Sequence, residues 1–251
     1  MRRPFKRSGS LWVPSRREML GALGVGLLAP RNARAATFSP LAHAGGGCGP
    51  SSPQTTAAID SSGADLLILG LVWDSSSLAG DLIDSKGNTW TALTSKATPM
   101  VQIWYCKPST VGSGHTVTVD NHTGGGLYLS AYLAAFSGSS PTPFDLENGA
   151  NNTATSPGSI TPSQSNELVI AVASSGSSAP TVDANMTLLN NNAVSGGTYW
   201  GGGMAYRIQT TAAAINPVWA GSAACVIASF KSASSGSGGA PVRHRVISGG
   251  E

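Results

Sequence analysis

The residues best suited to hold a metal ion are three aspartates that lie close together in the chain. Asp74, Asp81 and Asp84 fall within 11 residues, around a Ser/Gly-rich segment. Carboxylate oxygens are the ligands that Ca²⁺ prefers, and it takes about six to eight of them. The spacing differs from that of an EF-hand loop, so both a loop-bound Ca²⁺ and an ordinary acidic surface fit the pattern. No His-Glu-x-x-His or Cys-x-x-Cys pattern is present, and no other cofactor is predicted.

Three aromatic residues have the chemistry needed to stack on sugar rings. Trp90, Tyr199 and Trp200 adjoin turn-forming or Gly-rich segments, where an amphipathic ring has one face free for a ligand. They predict glycan binding, and the alternative is that they cover one end of the fold. Four further aromatic residues lie inside apolar runs and are predicted to be core: Trp73, Trp104, Tyr105 and Trp219.

No catalytic residue is predicted. A serine hydrolase of the α/β type would place Gly-x-Ser-x-Gly between a strand and a helix, and no such context occurs. His115 and Asp120 are five residues apart on a strand-like run, which directs their side chains to opposite faces. The remaining acidic residues are too few to nominate a pair for glycoside hydrolysis; they include Asp145, Glu147, Glu167 and Asp183.

The first 35 residues have the three parts of a bacterial export signal. A basic region precedes an apolar run over 19–29, which is too short to span a bilayer, and Ala33 and Ala35 provide the small residues of a cleavage site. Around Arg16 and Arg17 the order Ser-Arg-Arg-Glu-Met-Leu resembles a twin-arginine motif, which is an address read by a receptor. An ordinary Sec signal is the alternative. Both routes predict an extracytoplasmic protein in the periplasm, at the cell surface or secreted.

Removal of the signal reverses the net charge. Residues 1–35 hold eight of the 15 basic side chains and one of the 12 acidic ones. The rest of the chain therefore has seven basic and 11 acidic side chains, a formal net charge of −4. This balance disfavours nucleic acid as a partner. Contact with a membrane is expected only through the export signal.

Three cysteines give an odd count, at Cys48, Cys106 and Cys225. Their pairing cannot be derived from spacing. If the chain follows the twin-arginine route, which carries folded cargo, the cysteines meet oxidising conditions only after folding. We therefore expect no disulfide on which folding depends.

The chain beyond the signal predicts an all-β fold. Short apolar runs alternate with clusters of Gly, Asn, Asp and Ser, and no segment shows a sustained helical period. We assign 36–56 to a flexible lead-in, 57–232 to an antiparallel β-sandwich and 233–251 to a Gly/Ser-rich flexible tail. The turn-forming segment 84–88 predicts a hairpin between Leu82-Ile83 and the run from Trp90 to Leu93.

A weak internal repeat indicates two halves. Five elements recur in order at an offset near 100 residues, among them Asp65-Leu-Leu-Ile-Leu with Glu167-Leu-Val-Ile-Ala, and Leu133-Ala-Ala-Phe with Ile227-Ala-Ser-Phe. The halves span about 57–138 and 160–231, and 147–165 connects them. A lone half would expose one apolar face, so we expect both to pack into one sandwich of about ten strands, jelly-roll-like or Ig-like. Two separate small sandwiches are the alternative.

Five short segments between residues 57 and 231 share a recognisable wording. They are Ser62-Gly-Ala-Asp-Leu-Leu67, Asp84-Ser-Lys-Gly-Asn-Thr-Trp90, Gly112-Ser-Gly-His-Thr-Val-Thr-Val119, Ala135-Phe-Ser-Gly138 and Ile160-Thr-Pro-Ser163. Together they resemble a recurrent pattern of secreted and phage-associated bacterial β-sandwich proteins. The resemblance implies the fold and an extracytoplasmic location but no catalytic residue.

Together these observations favour an exported, non-catalytic sandwich with a binding, adhesive or structural role. Its expected partner is a glycan or another cell-surface polymer. The alternatives are a secreted carbohydrate-active hydrolase on the same fold and a subunit of a fibre or assembly. A hydrolase requires a cleft with converging ionisable groups, whereas a binding module presents a shallow face with aromatic residues.

Overall fold

A computed structural model describes residues 37–49, 53–74, 82–97, 99–120, 129–152, 154–193 and 201–233. In these ranges the protein is all-β, with antiparallel sheets packed face to face, which confirms the expected β-sandwich class. No helix in the described ranges is long and apolar enough to cross a membrane. The predicted export signal, most of the predicted tail, Asp81, Tyr199 and Trp200 lie outside the described residues.

The strands fall into two large and two small sheets. The large sheets have five strands each, in the orders β1-β8-β3-β6-β5 and β12-β13-β10-β15-β9, and the small ones are β2-β7-β4 and β11-β14. The described strands are β1 (Ser39–Gly49), β2 (Gln54–Thr55), β3 (Leu66–Trp73), β4 (Leu82–Asp84), β5 (Thr91–Ala92), β6 (Met100–Cys106), β7 (Val117–Val119), β8 (Leu129–Ser137), β9 (Ser139–Ala150), β10 (Glu167–Ser175), β11 (Thr181–Val182), β12 (Thr187–Asn192), β13 (Gly201–Gln209), β14 (Trp219–Ala220) and β15 (Cys225–Ser232).

The central strands of the large sheets, β3 and β10, are buried along their whole length. Each is an almost continuous apolar run, because both faces of these sheets are covered and neither face can be polar. One face of each large sheet packs against the other, and their side chains form an inner core that includes Ile68, Phe136, Ile170 and Phe230.

The opposite face of each large sheet carries a small sheet. Leu69 of β3 packs with Val117 and Val119 of β7, and Ala171 of β10 packs with Trp219 of β14. The fold is therefore a stack of four sheets. The two large sheets contain ten strands, the number expected from the sequence, but they include β1 and β9 from outside the expected halves. The small sheets add five short strands in the described ranges, among them β4 and β7, whose residues were expected in the large sheets.

The ladder registers show that the two halves have the same topology. We call residues 37–137 half 1 and residues 139–232 half 2. In half 1 Ile68 pairs with Tyr105 and Ala134, and in half 2 Ile170 pairs with Tyr206 and Ala228. Equivalent strands occupy equivalent places, with β1 beside β8 in one half and β9 beside β15 in the other. Because β1 lies against β12, the halves are related by an approximate two-fold axis.

A single residue, Gly138, joins the two halves. It separates β8 from β9 and has φ of 96°, a conformation that side chains rarely adopt. A Cβ atom there would also meet the carbonyl oxygen of Thr37 at 2.6 Å. The Asp65 carboxylate accepts hydrogen bonds from the backbone N–H groups of Gly138 and Ser139, both at 3.0 Å, which fixes the direction in which the chain enters half 2.

Three sequence expectations about individual segments differ from the structure. Within the expected lead-in 36–56, β1 forms an eleven-residue strand on the edge of the half 1 sheet. Much of β9 lies in or before the expected connection 147–165 and is the edge strand of half 2. The hairpin between β4 and β5 is wrong, because β4 pairs with β7 in the small sheet while β5 pairs with β6 in the large one. The turn at 84–88 therefore carries the chain from one layer to the next.

Candidate functional site

Two polar features of the described residues have a geometry that sequence reasoning did not foresee. The first is a buried network around Asp84 in half 1. The second is a groove where the edges of the two halves meet.

The Asp84 carboxylate accepts hydrogen bonds from four partners. The Nε2 atom of His115 lies 2.9 Å from Oδ2, and Nε1 of Trp90 donates to the same oxygen at 2.9 Å. The backbone N–H of Lys86 and the side-chain amide of Asn88 donate to Oδ1 at 2.7 and 3.2 Å. Asp84 is thus bound within the fold, which leaves it poorly placed as the Ca²⁺ ligand that its spacing from Asp74 and Asp81 suggested.

The network extends through His115 to Ser61. The Nδ1 atom of His115 lies 2.8 Å from the Ser61 hydroxyl oxygen, which also accepts a hydrogen bond from the N–H of Gly112 at 3.0 Å. The Asp84 and His115 side chains are fully buried, and so is Ser61. Burial raises the pKa of the Asp84 carboxyl, but hydrogen bonds from His115, Lys86 and Trp90 outweigh it, and the net pKa is lowered.

Ser61, His115 and Asp84 have the residue types of a hydrolytic triad, but their arrangement is that of a structural network. The Ser61 oxygen is buried, so no substrate reaches it in this conformation. The Trp90 indole closes the far side by binding the same aspartate oxygen as His115. The network ties together three loops, because Ser61 precedes β3, Asp84 ends β4 and His115 precedes β7. It joins two segments of the resemblance pattern, those that begin at Asp84 and Gly112.

We call the second feature the seam groove. It has a volume of about 430 Å³ and lies between the edge of half 1 and strand β9 of half 2. No carboxylate occurs among its described lining residues, which are Thr89, Thr91, Tyr105, Lys107, Pro141, Thr142, Pro143 and Phe144.

Strand alternation decides which residues around β5 face the seam groove. Successive side chains of an extended segment point to opposite faces. Trp90 therefore packs on the small-sheet side, where its indole meets Asp84, while Thr89 and Thr91 line the groove. Trp90, which is predicted from the sequence to be open to a ligand, is half-buried, and its neighbours on either side are the residues that reach the groove.

Aromatic rings form the base of the seam groove. The rings of Tyr105 and Phe144 stack with a centroid distance of 6.1 Å and an interplanar angle of 15°. Phe230, which is buried, meets Tyr105 edge-on at 5.5 Å and holds it in place. Lys107 contributes the positive charge of the lining, and its Nζ atom donates to the hydroxyl of Ser139 at 3.3 Å. The result is a rigid aromatic surface with hydroxyl and ammonium groups around it.

The two-fold relation of the halves gives the seam groove a counterpart. On the opposite seam a smaller groove of about 270 Å³ lies between β1 and the strands β12 and β13. By ladder register, Tyr206 and Thr187 of this groove are equivalent to Tyr105 and Thr91 of the seam groove. Its rim is more aliphatic, and Leu41 and Leu188 on that rim are exposed.

Of the remaining residues that the sequence predicts to bind a metal or a glycan, only Asp74 lies in the described ranges. Asp74 is partly buried, and no group of three or more His, Cys, Asp or Glu suited to a metal occurs in the described ranges. Tyr199, Trp200 and Asp81 lie outside those ranges, so their predicted roles stay predictions. Cys106 and Cys225 are unpaired and buried, and burial raises the pKa of each thiol to about 12. Comparison of the chain with protein-family models, curated proteins and solved structures finds no match.

Proposed function

We propose that the protein is an exported, non-catalytic binding module whose seam groove holds a glycan or a similar hydroxyl-rich cell-surface polymer. The observation that supports this most is the combination of a fixed aromatic base with surrounding hydroxyl groups. Sugar rings present apolar C–H faces that stack on aromatic rings and hydroxyl rims that exchange hydrogen bonds. The Tyr105–Phe144 base and the hydroxyls of Thr89, Thr91 and Thr142 fit both requirements.

The charge of the lining favours binding over hydrolysis. A glycosidase that uses two carboxyl groups needs both beside the scissile bond. The described lining of the seam groove instead carries the ammonium group of Lys107. This favours oligosaccharides with carboxylate groups over neutral ones, because an ammonium group in a partly desolvated groove attracts an anion. Export is supported by the signal-like composition of residues 1–35.

Titration of the purified protein with a panel of acidic and neutral oligosaccharides, followed by calorimetry, tests the proposal. We expect Thr91→Ala to weaken the binding of an acidic oligosaccharide about fivefold, which is the effect of losing one hydrogen bond. Lys107→Gln should weaken it about tenfold and reduce its dependence on salt.

The counterpart groove provides the matched control. Thr187→Ala makes the same change at the equivalent position of half 2 and should leave the affinity unchanged. Absence of binding to any member of the panel by the folded protein would contradict the proposal. Equal losses from Thr91→Ala and Thr187→Ala would also contradict it, because the seam groove would then not be the site.

A further inference from the structure

A lysine, an aspartate and a glutamate meet on the outer face of the half 2 sheet. They lie on three adjacent strands, Asp145 on β9, Lys231 on β15 and Glu167 on β10. The Nζ atom of Lys231 is 3.0 Å from Oδ1 of Asp145. The Asp145 side chain is only 6% exposed, whereas that of Lys231 is 35% exposed. An amine therefore lies against a buried carboxyl group.

The third member, Glu167, is fully buried, and its Oε2 atom has no hydrogen-bond partner. A buried carboxylate oxygen without a donor is costly when ionised. Burial raises the pKa of Glu167, and the negative charge of Asp145 raises it further. Glu167 therefore holds a proton more tightly than an ordinary glutamate does.

Ser163 connects the two carboxyl groups. Its hydroxyl oxygen lies 2.8 Å from Oδ1 of Asp145 and 3.3 Å from Oε1 of Glu167. A hydroxyl can accept a proton on one side while it releases its own on the other. This places a proton path from Glu167 to Asp145 within hydrogen-bond distances.

We propose that Lys231 and Asp145 condense into an intramolecular isopeptide bond, with Glu167 acting as the proton carrier. Glu167 passes a proton through Ser163 to the Asp145 carboxyl group, and the proton that Lys231 loses across its contact with Oδ1 of Asp145 returns along the same path to Glu167. The neutral amine attacks Cγ of Asp145 and a C–N bond forms. The attacking nitrogen gives one proton to the hydroxyl group on Cγ, and the C–O bond to that group breaks as water leaves. One ammonium and one carboxylate become one amide and one water molecule, and Glu167 ends as it began.

The arrangement of the strands explains why this condensation is favoured within the folded protein. In dilute solution the reaction between an amine and a carboxylate is unfavourable, but fixing both groups in contact raises their effective concentration to about 10⁵ M or more. Both groups lie on paired strands, since β9 and β15 form a ladder on either side of the bulge at Asp145. The bond would join the edge strand with which half 2 begins to the strand with which it ends.

Half 1 lacks the groups needed for this reaction. The ladder registers place Leu41 at the position of Asp145 and Ser137 at the position of Lys231. Asp65, which corresponds to Glu167 in the repeat, binds the backbone of Gly138 and Ser139 instead. The fold thus does not require the three groups, and their coincidence in half 2 points to chemistry.

Intact-mass spectrometry of the purified full chain tests the proposal. We expect a mass lower by one water molecule than that of the unmodified chain, and a protease digest in which the peptides that contain Asp145 and Lys231 remain joined. Asp145→Asn should still form the bond but release ammonia in place of water. Lys231→Arg keeps the positive charge but removes the amine, and its mass should be that of the unmodified chain.

Two further variants separate this bond from other causes of mass loss. Glu167→Gln preserves the size of the side chain and replaces the carboxyl group with an amide that cannot carry the proton, so the bond should form at least tenfold more slowly. Lys86→Arg alters a lysine of half 1 whose Nζ atom donates to the carbonyl oxygen of Ser113, and it should leave the mass loss intact. An unmodified mass for the folded wild-type chain, or a mass loss that persists in Lys231→Arg, would overturn the proposal.

Discussion

The two halves share strand order, ladder register and even the position of an edge bulge, but they differ in their buried polar groups. At the isolated bridge that precedes the central strand of each half, Ile59 pairs with His115 in half 1, while Ile160 pairs with Ile215 in half 2. His115 connects Ser61 to Asp84. Ile215 instead packs into the outer core of half 2.

The neighbours of these residues also differ in polarity between the two halves. Where half 1 has Ser61 and Trp90, half 2 has Pro162 and Met186; both are buried, and Met186 packs in the outer apolar cluster. Asp183, the residue after β11, is partly buried and accepts hydrogen bonds from the backbone N–H groups of Asn185 and Val218. The same topology is therefore compatible with a polar and with an apolar version of one corner.

At the edge of the large sheets it is half 2 that has a buried polar group and half 1 that has an apolar residue. Both halves have a bulge there, at Leu41 between Pro40 and Ala42, and at Asp145 between Phe144 and Leu146. A bulge leaves one residue outside the regular ladder, and only half 2 uses that residue to present a carboxyl group. The comparison teaches that the apolar pattern and the bulges define the fold, while the polar groups are specific to each half.

Transferring a residue from half 2 into half 1 gives the largest expected effect. His115→Ile places in half 1 the residue that half 2 has at the same position, yet it removes one hydrogen-bond partner from the buried Asp84 carboxylate and one from the buried Ser61 hydroxyl. Losing a hydrogen bond to a buried carboxylate costs about 3 kcal/mol. We expect the free energy of unfolding to fall by about that amount in denaturant titrations.

The control for this change is Ile215→Val, which removes one methylene from the equivalent apolar corner. It should cost about 1 kcal/mol, as other changes of this type do. If His115→Ile costs no more than Ile215→Val, the polar network contributes nothing to stability and the two corners are interchangeable.

The interface between the halves offers a second comparison, at a position where the approximate symmetry breaks. Gly70 on β3 and Val172 on β10 are equivalent by ladder register, and they face each other across the inner core. A Cβ atom at Gly70 would lie 2.8 Å from Cγ2 of Val172 and 3.3 Å from the sulfur of Met204. One small and one large residue therefore fill a space that two large ones would overfill.

Gly70→Ala should lower the free energy of unfolding by about 2 kcal/mol, the usual cost of overpacking a dense core. Val172→Ala creates space at the same point. The free energy of unfolding that the double variant loses should therefore be smaller, by at least about 1 kcal/mol, than the sum of the losses of the two single variants. Denaturant titration of the three variants measures this coupling. Strict additivity would mean that the two residues do not share one space.

The sequence predicted the repeat and the central strands β3 and β10, which are covered on both faces. Leu66–Trp73 and Glu167–Ser175 are apolar enough to identify from composition, and their offset of about 100 residues survives in the registers. The edge strands were missed because a strand that packs on one side needs few apolar residues. β1 contains a Gly-rich run, and β9 contains two prolines, which an edge strand tolerates.

The candidate sites were harder to predict because their members are far apart in sequence. Ser61 and His115, which meet within half 1, are 54 residues apart in the sequence. Thr94 of half 1 and Glu147 of half 2, which form a hydrogen bond between the halves, are 53 residues apart. No local spacing signals such contacts. The repeat itself held one usable signal, because aligning His115 with Ile215 would have marked a polar residue at a position that half 2 fills with an apolar one.

The smallest expected effect concerns how stability depends on pH. Glu167 in half 2 and Asp84 in half 1 should change the free energy of unfolding in opposite directions. Its raised pKa means that the protonated form stabilises the fold. This contribution is complete below the ordinary pKa of 4.5 and is lost as pH rises through the higher pKa of the folded state. Asp84 in half 1 behaves oppositely, since its lowered pKa gives stability that is present above 3.8 and is lost as pH falls.

Glu167→Gln should therefore become more stable relative to its parent as pH rises from 4 to 8. Both chains are best compared with Lys231→Arg present, because no bond to Asp145 can then form in either. Denaturant midpoints across this pH range provide the measurement. Asp84→Asn is the half 1 counterpart, and its difference from the parent should change only below about pH 4, where the parent loses the stability that ionised Asp84 contributes. A difference between Glu167→Gln and its parent that stays constant with pH would mean that Glu167 has the same pKa in the folded and the unfolded chain, which would contradict the predicted contrast between the halves.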